Sequence, residues 1–309
     1  PWPPGDMKYS RPMQKKSTQG RLQLIVAFLL TGLVFVADVL TPLGYAEWTL
    51  YVVPIALCLV ARRPTTPVIA ATVATGLILI GYLLSPVGAQ TQMSLVNRLL
   101  GVVAFWVVAA AGARFITARR EVERLTWLEQ GKASLTHQLA GVQTPEPLAE
   151  NVLAALAEYS GCVAGAFYQV QGDRLVRLAT WAADGSPATI ALGAGLAGQA
   201  AIDGRAHFVG PIDDTYVTMS SSLGGMKPRS IAVVPTQSDG VVNGVLEVAY
   251  LKPPEELPLT EALLRSCAET IGVALNAALS RIRLQELLAE TQRQSEELQT
   301  QQEELRVSN

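Results

Sequence analysis

Three glycines spaced as Gly193-x-Gly195-x-x-Gly198, with Asp213 about 20 residues further on, come nearest to a cofactor motif in this chain. In a dinucleotide site such glycines give a tight turn, a close backbone approach to pyrophosphate and a helix N-terminus facing it. That chemistry needs a parallel βαβ unit, whereas the segments that follow here read as hairpins, so a nucleotide cofactor is not expected. The imidazoles are His137 and His207, and the three thiols are Cys58, Cys162 and Cys267, far apart and without a CxxC. Neither a His/Cys metal site nor a disulfide framework fits that set. Haem ligation or pH sensing by His207 is weighed against a half-exposed strand residue, and the second is expected. Cys162 and Cys267 are expected to pack as small apolar groups. No Walker sequence and no Ser-His-Asp set occurs, so no catalytic residue, metal or cofactor is assigned.

A second kind of candidate is a charge inside an apolar run. Asp38, Glu47 and Arg98 sit near the ends of long hydrophobic stretches, where an ionisable residue is a functional candidate by default. The alternative is that all three reach the headgroup layer. The runs cover about residues 22–40, 45–61, 68–84 and 99–113, each read as a helix crossing a hydrocarbon core of about 30 Å. The first is too long for a signal peptide and lacks a small-residue cleavage site. Lys8, Arg11, Lys15, Lys16 and Arg21 precede it, Arg62 and Arg63 lie between the second and third, and Arg114, Arg119, Arg120 and Arg124 follow the fourth. The other two connections offer Arg98 alone, so the positive-inside rule predicts a four-span inner-membrane protein with both termini cytoplasmic.

Composition agrees with a membrane half and a polar half. Of 309 residues, 50% are apolar and 16% charged, and mean hydropathy is +0.28. Lys and Arg outnumber Asp and Glu 12 to 6 over residues 1–130, while residues 131–309 carry 12 against 20. An acidic second half argues against nucleic-acid binding there.

The elements of that second half follow from periodicity. Residues 118–139 repeat Val122, Leu125, Leu128, Leu135 and Leu139 at helical steps, and residues 148–159 resume after Pro145 and Pro147. Residues 164–170 and 174–181 alternate around Gly172-Asp173, and residues 230–235 and 241–250 around Asp239-Gly240, as two hairpins. A short helix at 196–202, a brief strand at 207–209 and a polar loop over 213–228 lie between them. Residues 259–288 are strongly helical, which completes an α/β sensor-type domain with a mainly antiparallel sheet flanked by helices.

Residues 134–283 resemble a GAF domain of the kind found in bacterial multidomain, including hybrid, histidine kinases. The resemblance rests on Gly193-Ala194-Gly195-Leu196-Ala197-Gly198-Gln199-Ala200, Asp203-Gly204-Arg205, Ser221-Ser222-Leu223-Gly224, Pro228-Arg229-Ser230, Val233-Val234-Pro235 and Gly244-Val245-Leu246-Glu247-Val248-Ala249. In that pattern the glycines are turn and close-packing positions. No cysteine matches the bilin motif of phytochrome-like relatives, the cyclic-nucleotide signature is missing, and His137 lacks the surroundings of a phosphoacceptor. The loop from Asp213 to Ser222 falls where related domains cover their ligand cavity. The resemblance therefore implies Tyr216, Ser220 and Ser222 as ligand contacts, Arg229 as an anion contact and Glu247 as an acceptor. The alternative for these is a solvated loop, an exposed Arg and a Glu on the outer sheet face.

The tail also resembles the helix that joins such domains to a kinase core. Leu284, Thr291, Leu298 and Leu305 recur every seven residues, with Leu288, Ser295 and Gln302 as partner positions, which predicts a marginal dimeric coiled coil. The expected organisation is a basic tail at 1–21, four spans over 22–117, a signalling helix at 118–139, a GAF-like sensor at 140–283 and a coiled-coil linker at 284–309. Pro1 is no ordinary start and Asn309 has no capping signal, so truncation before a kinase core is expected. The function expected is the sensory region of a membrane-bound two-component histidine kinase, homodimeric, taking an unidentified small ligand and passing the signal to a downstream kinase and response regulator. A diguanylate cyclase input region, or a receptor without enzyme activity, is the alternative.

Overall fold

A computed structural model describes residues 13–41, 47–61, 63–84, 91–141, 144–183, 185–212, 219–221 and 224–308. The chain divides into two compact units, residues 1–123 and 124–309.

In the first unit, α1 (Met13–Leu40) is followed by a 3-10 turn (Glu47–Tyr51), α2 (Val52–Leu57), another 3-10 turn (Cys58–Val60), α3 (Thr65–Leu84) and the start of α4 (Thr91–Leu139). The interior is built from small side chains, Ala71, Ala74 and Ala109, around Val34, Tyr51, Ile55, Ile78 and Phe105. Large apolar residues such as Leu29, Leu33, Leu83, Val103 and Val107 face outward. Large apolar side chains on the outside are compatible with a lipid environment, and the alanines among the larger interior groups let backbones approach closely. Gly112 shows the closeness: a Cβ there would lie 2.4 Å from a Leu59 methyl. Hydroxyls of Thr31, Thr72 and Thr75 donate to carbonyls one turn back, at Ala27, Val68 and Ala71, so none is left unsatisfied.

Three helices are long and apolar enough to cross a membrane: Thr65–Leu84, Leu95–Leu139 and Pro258–Gln302. The third qualifies by composition, but Leu263, Leu264, Cys267, Ile271 and Leu275 on it are buried in the core of the second unit. The stretch expected as a span at 45–61 is not a single helix. The segment divides into 3-10, α and 3-10 pieces, with Pro54 near the start of the α piece, where its missing backbone N–H is tolerated. Together they extend about 25 Å, short of a full hydrocarbon core.

The second unit holds the end of α4, then α5 (Pro145–Ser160), β1 (Ala164–Gln171), β2 (Arg174–Trp181), β3 (Thr189–Ala191), α6 (Gly195–Asp203), β4 (His207–Val209), β5 (Met219–Ser221), β6 (Gly224–Met226), β7 (Ser230–Ser238), β8 (Val241–Tyr250) and α7 (Pro258–Ser308). Six strands form one sheet in the order β3-β2-β1-β8-β7-β4, and every described pair is antiparallel. Asp239 and Gly240 both take positive φ, 54° and 77°, the geometry of a two-residue hairpin turn between β7 and β8.

Strand alternation sorts the sheet into two faces. Leu246, Val248 and Tyr250 of β8, Ala232 and Val234 of β7 and Phe167 of β1 pack against α5 and α7. Leu135 of α4 is buried in the same cluster, and the Tyr159 hydroxyl donates to the Trp127 carbonyl at 2.6 Å. Ala164, Ala166, Tyr168, Val233, Val245 and Ala249 form the opposite face, under Ala197 and Ala200 of α6. The boundaries expected at 117/118 and 283/284 fall inside α4 and α7, each of which is one unbroken helix.

Candidate functional site

The glycine motif is built for turning and packing. Gly193 and Gly195 take φ of 83° and 61°, and a Cβ on Gly198 would lie 2.5 Å from the Ala191 carbonyl oxygen. Gly193 N–H donates to the Gly198 carbonyl at 2.9 Å, closing the loop on itself. With antiparallel strands on both sides, no βαβ unit presents this helix to a pyrophosphate.

What this loop positions is α6, and beneath α6 lies the one carboxylate of that face. Glu247 shares the parity of Val245 and Ala249, so the register of β8 turns it to the α6 side. Its cross-strand neighbours are Ala166 on β1 and Val233 on β7, which places it in the middle of the sheet rather than at an edge. Such neighbours sit about 5 Å away Cβ to Cβ and bring no polar group. The residue is half-buried, and burial alone pushes its carboxyl pKa up. No hydrogen bond or ion pair to it occurs among the described residues.

Tyr168 stands one pair further along, opposite Val245. It is fully buried and its hydroxyl has no hydrogen-bond partner among the described residues. Burial raises the phenol pKa most, and the charge of Glu247 adds to this. Ser186 and Arg177 act in the other direction, although Ser186 stays outside hydrogen-bond geometry to the phenol. Arg177 is itself held by Ser186, donating to its carbonyl oxygen and, at 3.2 Å, to its hydroxyl. An unsatisfied buried hydroxyl costs about 1–3 kcal/mol, and on this face the Tyr168 hydroxyl is one.

Of the residues expected here, Glu247 faces inward rather than outward to solvent. Arg229 is exposed just before β7, its backbone N–H donating to the Tyr250 carbonyl at 2.7 Å, and it does not join Glu247. Tyr216 and Ser222 lie outside the described residues, and Ser220 lies on β5 with its side chain outside them as well. Tyr168, Arg177 and Ser186 were not among the expected residues. The available signal was Tyr168 itself, a phenol at an inward position of a strand otherwise alternating Ala164, Ala166 and the glycine between them.

The sulfur and imidazole groups take no part in this face. Cys162 and Cys267 are buried on the α5/α7 side, and burial pushes the Cys162 thiol up to about 12, which keeps it protonated and unreactive. His207 is half-exposed on β4 and its Nε2 lies 3.0 Å from an Asp203 carboxylate oxygen, a surface ion pair. Among the described residues no group of three or more His, Cys, Asp or Glu side chains stands ready for a metal.

In the first unit, Asp38 and Arg98 come together: Arg98 Nη2 lies 3.0 Å from Asp38 Oδ1 and Nη1 lies 3.2 Å from Oδ2, with Asp38 2% exposed. Arg98 Nη1 also donates to the Ile78 carbonyl at 2.8 Å, and the guanidinium lies 5.8 Å from the Tyr82 ring centre. Glu47 begins the 3-10 turn after α1, its side chain outside the described residues.

Comparison with known proteins fits the geometry of the second unit. Residues 142–276 match the family model described as GAF domain. No curated protein sequence matches the chain. Among solved structures, the chain is similar to the A. aeolicus nlh2 GAF domain in an inactive state, at 16% identity over 50% of this chain and 98% of that one, with a TM-score of 0.42. It is similar to free methionine-R-sulfoxide reductase from Neisseria meningitidis in complex with its substrate, at 24% identity, covering 50% and 90%, TM-score 0.41. It is also similar to the GAF domain of a phosphoenolpyruvate-protein phosphotransferase from Coxiella burnetii, at 18% identity, covering 51% and 95%, TM-score 0.40. Residues 142–276 are a GAF domain, a sensory and ligand-binding module of signalling proteins.

Proposed function

We propose that this chain is the input half of a membrane-anchored signalling protein, whose GAF domain takes a small ligand on its α6 face and whose long helices carry the result onward. The observation that carries this reading is the pair Glu247 and Tyr168, polar groups without partners on an apolar face of a sensory domain. Two features of the helices support the relay. α4 is one helix from Thr91, in the apolar unit, to Leu139, in the sensor unit. α7 packs on the sheet through Leu263, Ile271 and Leu275 and runs on to Ser308 as an exposed helix. The first unit, with large apolar residues such as Leu29, Leu33, Leu83, Val103 and Val107 facing outward, supports anchoring by four crossings, the second of them formed by the broken segment around Pro54. Both termini are then cytoplasmic, and the exposed end of α7 pairs with that of a second copy.

The output we assign is a two-component histidine kinase acting on a response regulator, from the resemblance of the α7 tail to kinase linkers. Reading the gene past the codon for Asn309 tests this. A phosphoacceptor helix followed by an ATP-binding domain is expected, and autophosphorylation of the gene's product from labelled ATP should follow. A diguanylate cyclase domain, or a stop codon at that point, overturns the kinase assignment.

A further inference from the structure

We propose that the centre of the α6 face is a subsite for the protonated amine or amidine of a small ligand, with Glu247 as counter-ion and the Tyr168 hydroxyl donating to a neighbouring acceptor on the same molecule. This rests on the reading of the domain as a ligand sensor and names the class of ligand.

The charge on the face decides the class. Glu247 is held at mid-sheet between Ala166 and Val233, and α6 sets Ala197 and Ala200 over the face, so this floor and roof are methyl groups. Arg177, the cation that acts on Tyr168, is turned to Ser186 and makes no ion pair with Glu247. Desolvation is accordingly the sole cause acting on the Glu247 carboxyl, with no cation offsetting it. A ligand carboxylate or phosphate entering here meets an uncompensated like charge, and a hydrocarbon group desolvates Glu247 further. An ammonium or amidinium does the reverse, supplying the missing positive charge and N–H donors to a carboxylate that accepts from no described group. The Tyr168 O–H has no acceptor among the described residues, so the ligand needs an oxygen or nitrogen acceptor close to its cationic end.

The test uses the full chain in nanodiscs of zwitterionic lipid, so that amines find no anionic surface. Hydrogen–deuterium exchange is followed on adding butylammonium, butyrate or butan-1-ol, three probes of similar size and different charge. Butylammonium alone is expected to slow exchange in peptides from α6 and β8. Glu247→Gln should weaken that protection at least tenfold, with exchange in α5 and α7 unchanged as the sign of an intact fold. Tyr168→Phe, the second variant, should leave butylammonium protection within about threefold, because the donor contact needs an acceptor that this probe lacks. Protection by butyrate or butan-1-ol in place of butylammonium overturns the amine assignment and leaves the ligand-sensor reading standing. Protection by none of the three, or butylammonium protection that survives Glu247→Gln, overturns the subsite.

Discussion

Asp38 and Arg98 are 60 residues apart and become one structural unit only when α1 and α4 pack. Gly81 on α3 makes room for them, since a Cβ there would lie 2.1 Å from Asp38 Oδ2. Removing one partner of such a pair strands the other charge among apolar helices, and about 3–5 kcal/mol is lost. Asp38→Asn should therefore lower unfolding stability in micelles by that order, whereas Asp38→Leu with Arg98→Met should recover most of it. Equal losses in the single and double variants would sink the pairing. Each charge was visible alone in the sequence, but the partner was not, because nothing in a linear pattern says which helices touch. Glu247 was legible in the same incomplete way, as a charge in a strand whose inward direction needed the register with Ala166 and Val233. Its raised pKa makes a signed prediction. A carboxyl that holds its proton more tightly folded than unfolded adds stability below the unfolded value, about 4.3, and that stability is lost as pH rises through the folded one. Among the described residues, Tyr168 and Arg177 share its face, and burial raises the Tyr168 phenol further above its ordinary value, far from that window. Glu247→Gln should thus be more thermostable than the wild type at neutral pH, with the gap closing on acidification. A melting series over pH on both proteins checks this, and a variant less stable at neutral pH would contradict it.

At the scale of elements, α5 and the two long hairpins were plain because their signals are local: alternation on each strand, Gly-Asp or Asp-Gly at the turns, a proline pair opening α5. The three-residue strands β3, β5 and β6 were missed, since three residues carry no period and each exists only through its partner. The break of the 45–61 segment into 3-10, α and 3-10 pieces was not legible, because hydropathy averages over a window and does not register where the backbone ladder changes. Helix α7 shows both a local and a tertiary half. Its first part is fixed by contact with the sheet: a Cβ on Gly272 would sit 2.2 Å from the Gln237 carbonyl oxygen, so Gly272→Ala should push α7 off β7 and destabilise the domain measurably in thermal melts. The second part leaves Leu284, Leu287, Leu288 and Leu298 exposed along a helix with no described partner in this chain. Helices of that polarity are marginal alone and gain stability by closing a seam with a copy of themselves. Leu298→Cys should give a covalent dimer on mild oxidation of the full chain. A monomer under those conditions, with Leu284→Cys also failing to cross-link, would remove the coil.

Over the whole molecule the decisive quantity is where the cations lie. Eleven Lys and Arg residues occupy the stretches before the first apolar run, between the second and third, and after the fourth, while Arg98 is the one in the remaining connections and is tied to Asp38. A cation in a buried ion pair does not weigh on orientation as a loop cation does, so the asymmetry that sets topology is sharper than the count suggests. Under the proposed anchoring the same distribution calls for an even number of crossings, and it makes the segment around Pro54 the critical one. With three crossings and the N-terminus inside, Arg62, Arg63 and the arginines after α4 would all lie outside, against the rule; four keep every loop cation inside. The sensor unit, with its excess of acids, has no electrostatic reason to stay behind on its own, since Asp and Glu contribute little to retention. Under the same proposal, the cluster Arg114, Arg119, Arg120 and Arg124 in α4 is what holds it in. A protease-cleavable tag after Asn309 should therefore survive external protease in intact spheroplasts and be cut once they are lysed. Replacing those four arginines by Gln should expose the tag in part of the population. Cleavage in intact cells of the wild type would overturn the four-crossing arrangement and the cytoplasmic placement of the sensor together.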